Sequence, residues 1–155
     1  MKDKCVWIKN ILLPVILGGI IGLILSKFMN YNELNKPPLA PPGFIFGIVW
    51  SILYILMGIS YSILDANNLT NNKVKNIYYL QLAVNLLWPI IFFVLKWRLF
   101  ACFWIIALLV LIIYEISIFY EKNKVAAYLQ IPYLIWTAFA TYLNISIYWL
   151  NAWLK

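Results

Sequence analysis

The sequence predicts an all-α integral membrane protein, a single bundle of five membrane-crossing helices, and three observations predict it. Apolar residues make up 65% of the 155 residues and charged ones only 11%, against roughly 45–50% and 25% in soluble domains. The mean hydropathy is +0.87, and a soluble globule this small has no interior large enough for so much apolar surface. The apolar residues also fall into five stretches, roughly 6–28, 43–65, 76–95, 99–119 and 125–150, each about the ~20 residues a helix needs to cross a bilayer. A closed β-barrel is the other spanning solution, but runs such as Ile105–Ile113 lack its period-2 alternation.

The first stretch follows Lys2, Lys4 and Lys9 like a secretion signal, yet it is longer than a signal core and ends in Leu25-Ser26-Lys27-Phe28 without a small-x-small cleavage site. It reads as a retained helix, with a Gly18–Gly22 pair suited to helix contact or dimerisation. Residues 29–42, MNYNELNKPPLAPP, carry four prolines and no apolar periodicity. Prolines pre-set φ, so the segment is a shaped loop, either a lid or a rigid spacer. Gly43 and Gly47 open the second stretch and Asp65 closes it.

In the third stretch Pro89 has no N–H, which leaves the carbonyl of Asn85 without its helical partner. A mid-membrane amide at a kink is either tied to a neighbouring helix or opened toward a cavity. The fourth stretch holds Glu115, just over one turn from Glu121 and Lys122, where snorkelling to the interface is the expected fate. In the fifth, Trp136, Ala140, Leu143, Asn144 and Ile147 recur at helical spacing and share one side. Thr137, Ala138 and Thr141 let a neighbouring backbone come close.

Aromatics make up 18% of the chain, with 8 Trp, and there is no histidine. That removes the commonest metal ligand and general base, and with it most zinc, haem-ligating and triad chemistry; no metal site is expected. Trp7, Trp97, Trp149 and Trp153 lie near span ends, where indoles suit the headgroup region. Trp50, Trp88, Trp104 and Trp136 lie deeper, each needing a partner for its N–H. They either pack between helices or, with Tyr54 and Asn85, line a flat apolar pocket.

The formal charge of +7 sits mostly at span ends, where it meets lipid headgroups rather than nucleic acid. Seven lysines on the N-terminal face (Lys2, Lys4, Lys9, Lys73, Lys75, Lys122, Lys124) against Lys27, Lys36, Lys96, Arg98 and Lys155 place the N-terminus inside. The expected spans place Cys5 and Cys102 at opposite faces, which argues against an intrachain disulfide between them.

Three motifs occur in order: Lys36-Pro37-Pro38-Leu39-Ala40-Pro41-Pro42 leading through Trp50 and Tyr54 to Gly58; Asn85-Leu86-Leu87-Trp88-Pro89 with Phe92-Phe93; and Pro132-Tyr133-Leu134-Ile135-Trp136 leading to Asn144. Together they resemble the TspO/MBR family, the tryptophan-rich sensory proteins and the mitochondrial translocator protein or peripheral benzodiazepine receptor. The resemblance implies a five-helix bundle, homodimeric, in a bacterial plasma membrane, that binds porphyrins, sterols and benzodiazepine-site ligands under the first loop. Carried over, its ligand-binding residues are Trp50, Tyr54, Asn85, Trp88, Trp136, Ala140 and Leu143, with Pro41 and Pro42 shaping the lid. Trp50 and Trp136 resemble the pair used for light-dependent protoporphyrin breakdown.

Two departures stand out. Leu39 lies where the family usually has Trp, and the C-terminal sterol motif is broken: Leu143 and Tyr148 fit, but Leu150 replaces the usual Arg and Lys155 falls too far. Three functions follow as expectations. The first is a tetrapyrrole-binding receptor with no cofactor of its own and no iron ligation, in which Lys27, Lys36, Lys96 and Arg98 meet porphyrin propionates. The second is a light- and oxygen-dependent protoporphyrin-degrading enzyme, and the third a transporter of porphyrin or lipid-like ligands.

Overall fold

The computed structural model describes residues 2–153, so Lys155 of the sterol motif lies outside the described residues. Helix α1 runs Lys2–Leu25, α2 Gly43–Ala66, α3 Asn72–Pro89, α4 Arg98–Lys122, α5 Lys124–Tyr128 and α6 Ile131–Ala152. Asp3–Leu25, Gly43–Ala66, Asn72–Val94 and Arg98–Lys122 are long and apolar enough to cross a membrane. The 22-residue α6 matches them in length but spends positions on Tyr, Trp, Thr and Asn, which lower its hydropathy.

Two prolines shape the helix ends. After Pro89 the third span widens into a π-helical turn, Ile90–Val94, in which Leu95 N donates to Ile90 O at 3.0 Å. The missing N–H of Pro89 thus produces a change of helical pitch rather than a break. The fifth stretch, expected as one helix over 125–150, is instead two: α5 ends at Tyr128 and α6 begins at Ile131. Pro132 cannot donate to the Tyr128 carbonyl, and the chain turns there. The turn before α5 is tight because Asn123 caps it, accepting from Ala126 N at 3.1 Å.

Helices α1 and α2 form the most extensive helix pair, crossing closely at Gly58. A Cβ there would stand 2.5 Å from Ile11 Cα and 2.7 Å from the Asn10 carbonyl, so only glycine fits. Pro14 leaves that same Asn10 carbonyl without its helical donor, and the crossing covers it. Asn10 Nδ2 also donates to Asp65 at 2.9 Å, pinning the two helices at this end.

The buried side chains separate into two clusters. One, around Met57, Tyr61, Tyr78, Ile112, Phe119 and Tyr133, fills the end nearer the N-terminus. The other, around Leu25, Tyr31, Leu34, Trp88, Phe92 and Ile147, lies under the first loop.

Candidate functional site

Toward the loop end α1 and α2 diverge, and the space between them, α3 and α6 is a cavity of about 460 Å³. Drug-sized ligand pockets span roughly 300–1,000 Å³. Small residues create the gap: Gly19, Gly22 and Gly47 border it, and a Cβ on any of them would meet nothing within 4 Å. Gly18 differs, because a Cβ there would run into the Tyr54 ring. The Gly18–Gly22 pair is therefore divided, one glycine seating Tyr54 and the other facing the cavity.

The aromatic wall comes from Trp50, stacked on Tyr54 at 5.8 Å, and from Trp88, tilted on Phe92 at 5.7 Å. Ala140 and Leu143 of α6 complete it. Its polar groups are largely committed to one another. Tyr54 Oη donates to Asn85 Oδ1 at 2.8 Å, Asn85 Nδ2 to Tyr133 Oη at 2.6 Å, and Tyr133 Oη to Gln81 Oε1 at 2.8 Å. The kink amide is thus tied across to α2 and α6. Nearby, Trp88 Nε1 donates to Asn144 Oδ1 at 2.8 Å, and Asn144 Nδ2 donates on to Cys102 Sγ at 2.9 Å. Both cysteines are free.

The chain of amides and phenols ends on Glu115, where Gln81 Nε2 reaches Oε1 at 3.5 Å. Glu115 is fully buried, not snorkelled as expected. It continues the buried stripe of Leu108 and Ile112, and α4 runs on two turns beyond it to Lys122.

The first loop roofs the cavity. Tyr31, in a 3₁₀ turn over Tyr31–Glu33, is buried and packs edge-on to Phe46 at 5.2 Å. Burial raises its phenol pKa, and the protonated hydroxyl donates to the Pro41 carbonyl at 2.8 Å. Lys36 Nζ donates back to Tyr31 O at 3.0 Å and sits over its ring. The loop is fastened to the end of α6 by a reciprocal pair: Asn35 N donates to Asn151 Oδ1 at 3.1 Å and Asn151 Nδ2 to Asn35 O at 2.9 Å.

Of the residues singled out in the sequence, Trp50, Tyr54, Asn85, Trp88, Ala140 and Leu143 come together on one cavity. Trp136 stands outside that lining, edge-on to Phe46 at 5.8 Å, with its buried Nε1 unpartnered among the described residues. Pro41 and Pro42 shape the loop without lining the space: Pro41 holds Tyr31, and Pro42 precedes α2. Leu39 is 71% exposed. Trp104 finds its partner in the Val84 carbonyl at 2.8 Å.

Sequence reasoning missed Gln81 and Tyr133 as network members, the separate Asn10–Asp65 bond between α1 and α2, and the α1 glycines as cavity wall. Tyr133 had a signal, since it lies one turn before Thr137 and two before Ala140 on the α6 face already noted. Asn10 had none, because its partner Asp65 is 55 residues away.

Fold and site together define an integral membrane helical bundle with an aromatic-walled cavity beneath a structured loop. The model of the TspO/MBR family matches residues 10–150, and the chain belongs to that family. It is 42% identical over 123 residues to the tryptophan-rich protein TspO of Archaeoglobus fulgidus, covering 79% of this chain and 80% of that protein. The protein CrtK of Rhodobacter capsulatus is 34% identical, with 86% of each chain covered. The human translocator protein is also 34% identical, over 85% of this chain and 82% of its own length.

Proposed function

We propose that the protein is a membrane receptor that takes a flat, largely apolar ligand into the cavity, a porphyrin or another tetrapyrrole, and that benzodiazepine-site-type hydrophobic ligands compete for the same space. The observation that carries this reading is the Trp50–Tyr54 and Trp88–Phe92 wall around a space of about 460 Å³. Ring faces bury well against such a wall, and each aromatic pair adds about 0.5–1.5 kcal/mol beyond area burial. Because Tyr54 Oη spends its proton on Asn85, it offers the ligand an acceptor. With no histidine in the chain, the ligand is held by ring faces and amides and not through iron. In this reading the N-terminus lies inside and the first loop outside, which the seven-to-five distribution of basic residues supports, and the receptor reports tetrapyrrole or stress status.

Titration of the purified protein with metal-free protoporphyrin and with haem, followed by tryptophan quenching, tests this directly. Comparable affinities are expected. Haem preferred by orders of magnitude, or no saturable binding of either, overturns the reading.

A further inference from the structure

The hydrogen-bond chain behind the cavity wall runs in one direction. Tyr54 Oη donates to Asn85 Oδ1, Asn85 Nδ2 to Tyr133 Oη, Tyr133 Oη to Gln81 Oε1, and Gln81 Nε2 to Glu115 Oε1. Side chains of α2, α3 and α6 thus join the cavity to one buried carboxyl group on α4. We infer that Glu115 is a proton-binding site that sets the direction of this chain, an inference that takes its ligand from the receptor reading. The proton on Glu115 decides whether Tyr54 accepts a hydrogen bond from that ligand or donates one to it.

Phenols and amides carry both a donor and an acceptor, so each link serves either direction. A phenol proton rotates, or an amide turns end for end, without breaking a covalent bond. A carboxylate accepts only, whereas a carboxylic acid has one donor. With a proton bound, Glu115 donates to Gln81 Oε1, Gln81 Nε2 to Tyr133 Oη, Tyr133 Oη to Asn85 Oδ1, and Asn85 Nδ2 to Tyr54 Oη. The same pairs remain bonded and no proton passes along the chain. The only covalent change is the Glu115 O–H bond, formed with a proton from solvent. Tyr54 is then left with its hydroxyl proton free for the cavity.

The surroundings leave the carboxyl group available for this role. Glu115 Oε2 is buried with no hydrogen-bond partner among the described residues, and so is Tyr78 Oη. Tyr78 of α3 and Tyr133 of α6 are the titratable groups that face Glu115. Lys73 and Lys75 of α3, Lys124 and Tyr128 of α5, and Tyr114, Glu121 and Lys122 of α4 are all exposed. The π-helical turn Ile90–Val94 and α6 carry no charged side chain. No cation faces Glu115 among the described residues, so nothing there holds it permanently as an anion.

Two flat tricyclic ligands that do not ionise separate the two states: fluorenone, which accepts through its carbonyl, and carbazole, which donates through its N–H. Binding of each, tritiated, to the full chain in mild detergent is measured over about pH 5 to 9. Lowering the pH is expected to strengthen fluorenone binding and weaken carbazole binding by about fivefold each, the worth of one hydrogen bond. Glu115→Gln removes the titrating group at equal volume and Gln81→Leu cuts the chain, and both are expected to abolish the two trends. Glu121→Gln, exposed on the same helix, is expected to keep them. Infrared spectra of the ligand-free protein give a second readout. A carboxylic-acid carbonyl band is expected to grow as the pH falls, to be missing in Glu115→Gln and to persist in Gln81→Leu. Flat or parallel trends for the two ligands overturn the inference, as do trends that survive Glu115→Gln or a Glu115 band that does not change with pH. If neither ligand nor protoporphyrin binds while the band titrates, the receptor reading falls and the proton site stands.

Discussion

The two ends of the same α1–α2 pair are built on opposite terms. Near the N-terminus the helices touch at Gly58, with Asn10 bonded to Asp65 and no room for a methyl group. Toward the first loop Gly22 and Gly47 have nothing within 4 Å of where a Cβ would stand. Glycine thus does two jobs in one interface, close approach at one end and vacancy at the other. The polar groups divide likewise. The far end commits its phenols and amides to a network ending on Glu115, whereas the loop end presents aromatic faces around a space. A pocket in a small bundle needs a rigid counterpart, and here one pair of helices supplies both.

The sharpest break of this contrast is Gly58→Leu against Gly47→Ala. The first forces the helices apart where backbone meets backbone and is expected to cost at least ~3 kcal/mol or prevent accumulation of folded protein. The second adds a methyl group to open space inside a helix, which is expected to stabilise by up to ~1 kcal/mol. Thermal unfolding in detergent checks both, and equal effects would mean that the two ends do not differ as described.

Next in size is Asn85→Leu, a change of similar volume that strands the Tyr54 hydroxyl and removes a donor from Tyr133. A loss of about 1–3 kcal/mol is expected, together with weaker protoporphyrin binding, because this amide joins the two ends. Unchanged stability would show that the network is not what fixes the cavity wall.

Trp50→Ala and Trp136→Phe separate wall from backing. The Trp50 change removes a ring from the cavity and is expected to weaken protoporphyrin binding about tenfold or more. The Trp136 change is expected to stay within about twofold, since that ring lies behind Phe46. If light-dependent breakdown occurs, product yield should likewise follow Trp50 more than Trp136. Equal dependence on both in binding and yield would bring Trp136 into the pocket.

The smallest effect is expected from Asn151→Ala, which unfastens the first loop from α6. Two exposed neutral hydrogen bonds contribute about 1 kcal/mol in all. Ligand dissociation by stopped flow should therefore quicken several-fold with little change in melting temperature. Unaltered dissociation would mean that the loop does not gate the cavity.

Much of this was legible residue by residue. The helical membrane bundle, the structured first loop, the sharing of Trp50 and Trp88 with Asn85 and the disturbed helix at Pro89 all follow from local chemistry. The misreadings were also local. Pro132 was in view, but an apolar run of the right length hid the helix break it causes at Tyr128. Glu115 was judged by its distance from the nearest charged residues, whereas the face it occupies decided its burial. Leu39 and the broken sterol motif were visible as departures from the family, and Leu39 is indeed turned outward.

By itself, the sequence determined that the solvent is partly lipid, that the backbone must close its hydrogen bonds within helices, and that no imidazole chemistry is available. Those are properties of composition and of spacing within about 25 residues. Only the tertiary structure decided which glycines make contact and which make space, and that Trp50 lines the cavity while Trp136 stands behind it. It also decided that Asn10, Gln81 and Tyr133 belong to the polar framework. The physical reason is that a helix face acquires its meaning from the helix opposite it, and the partners of these residues lie 34 to 55 positions away in the chain.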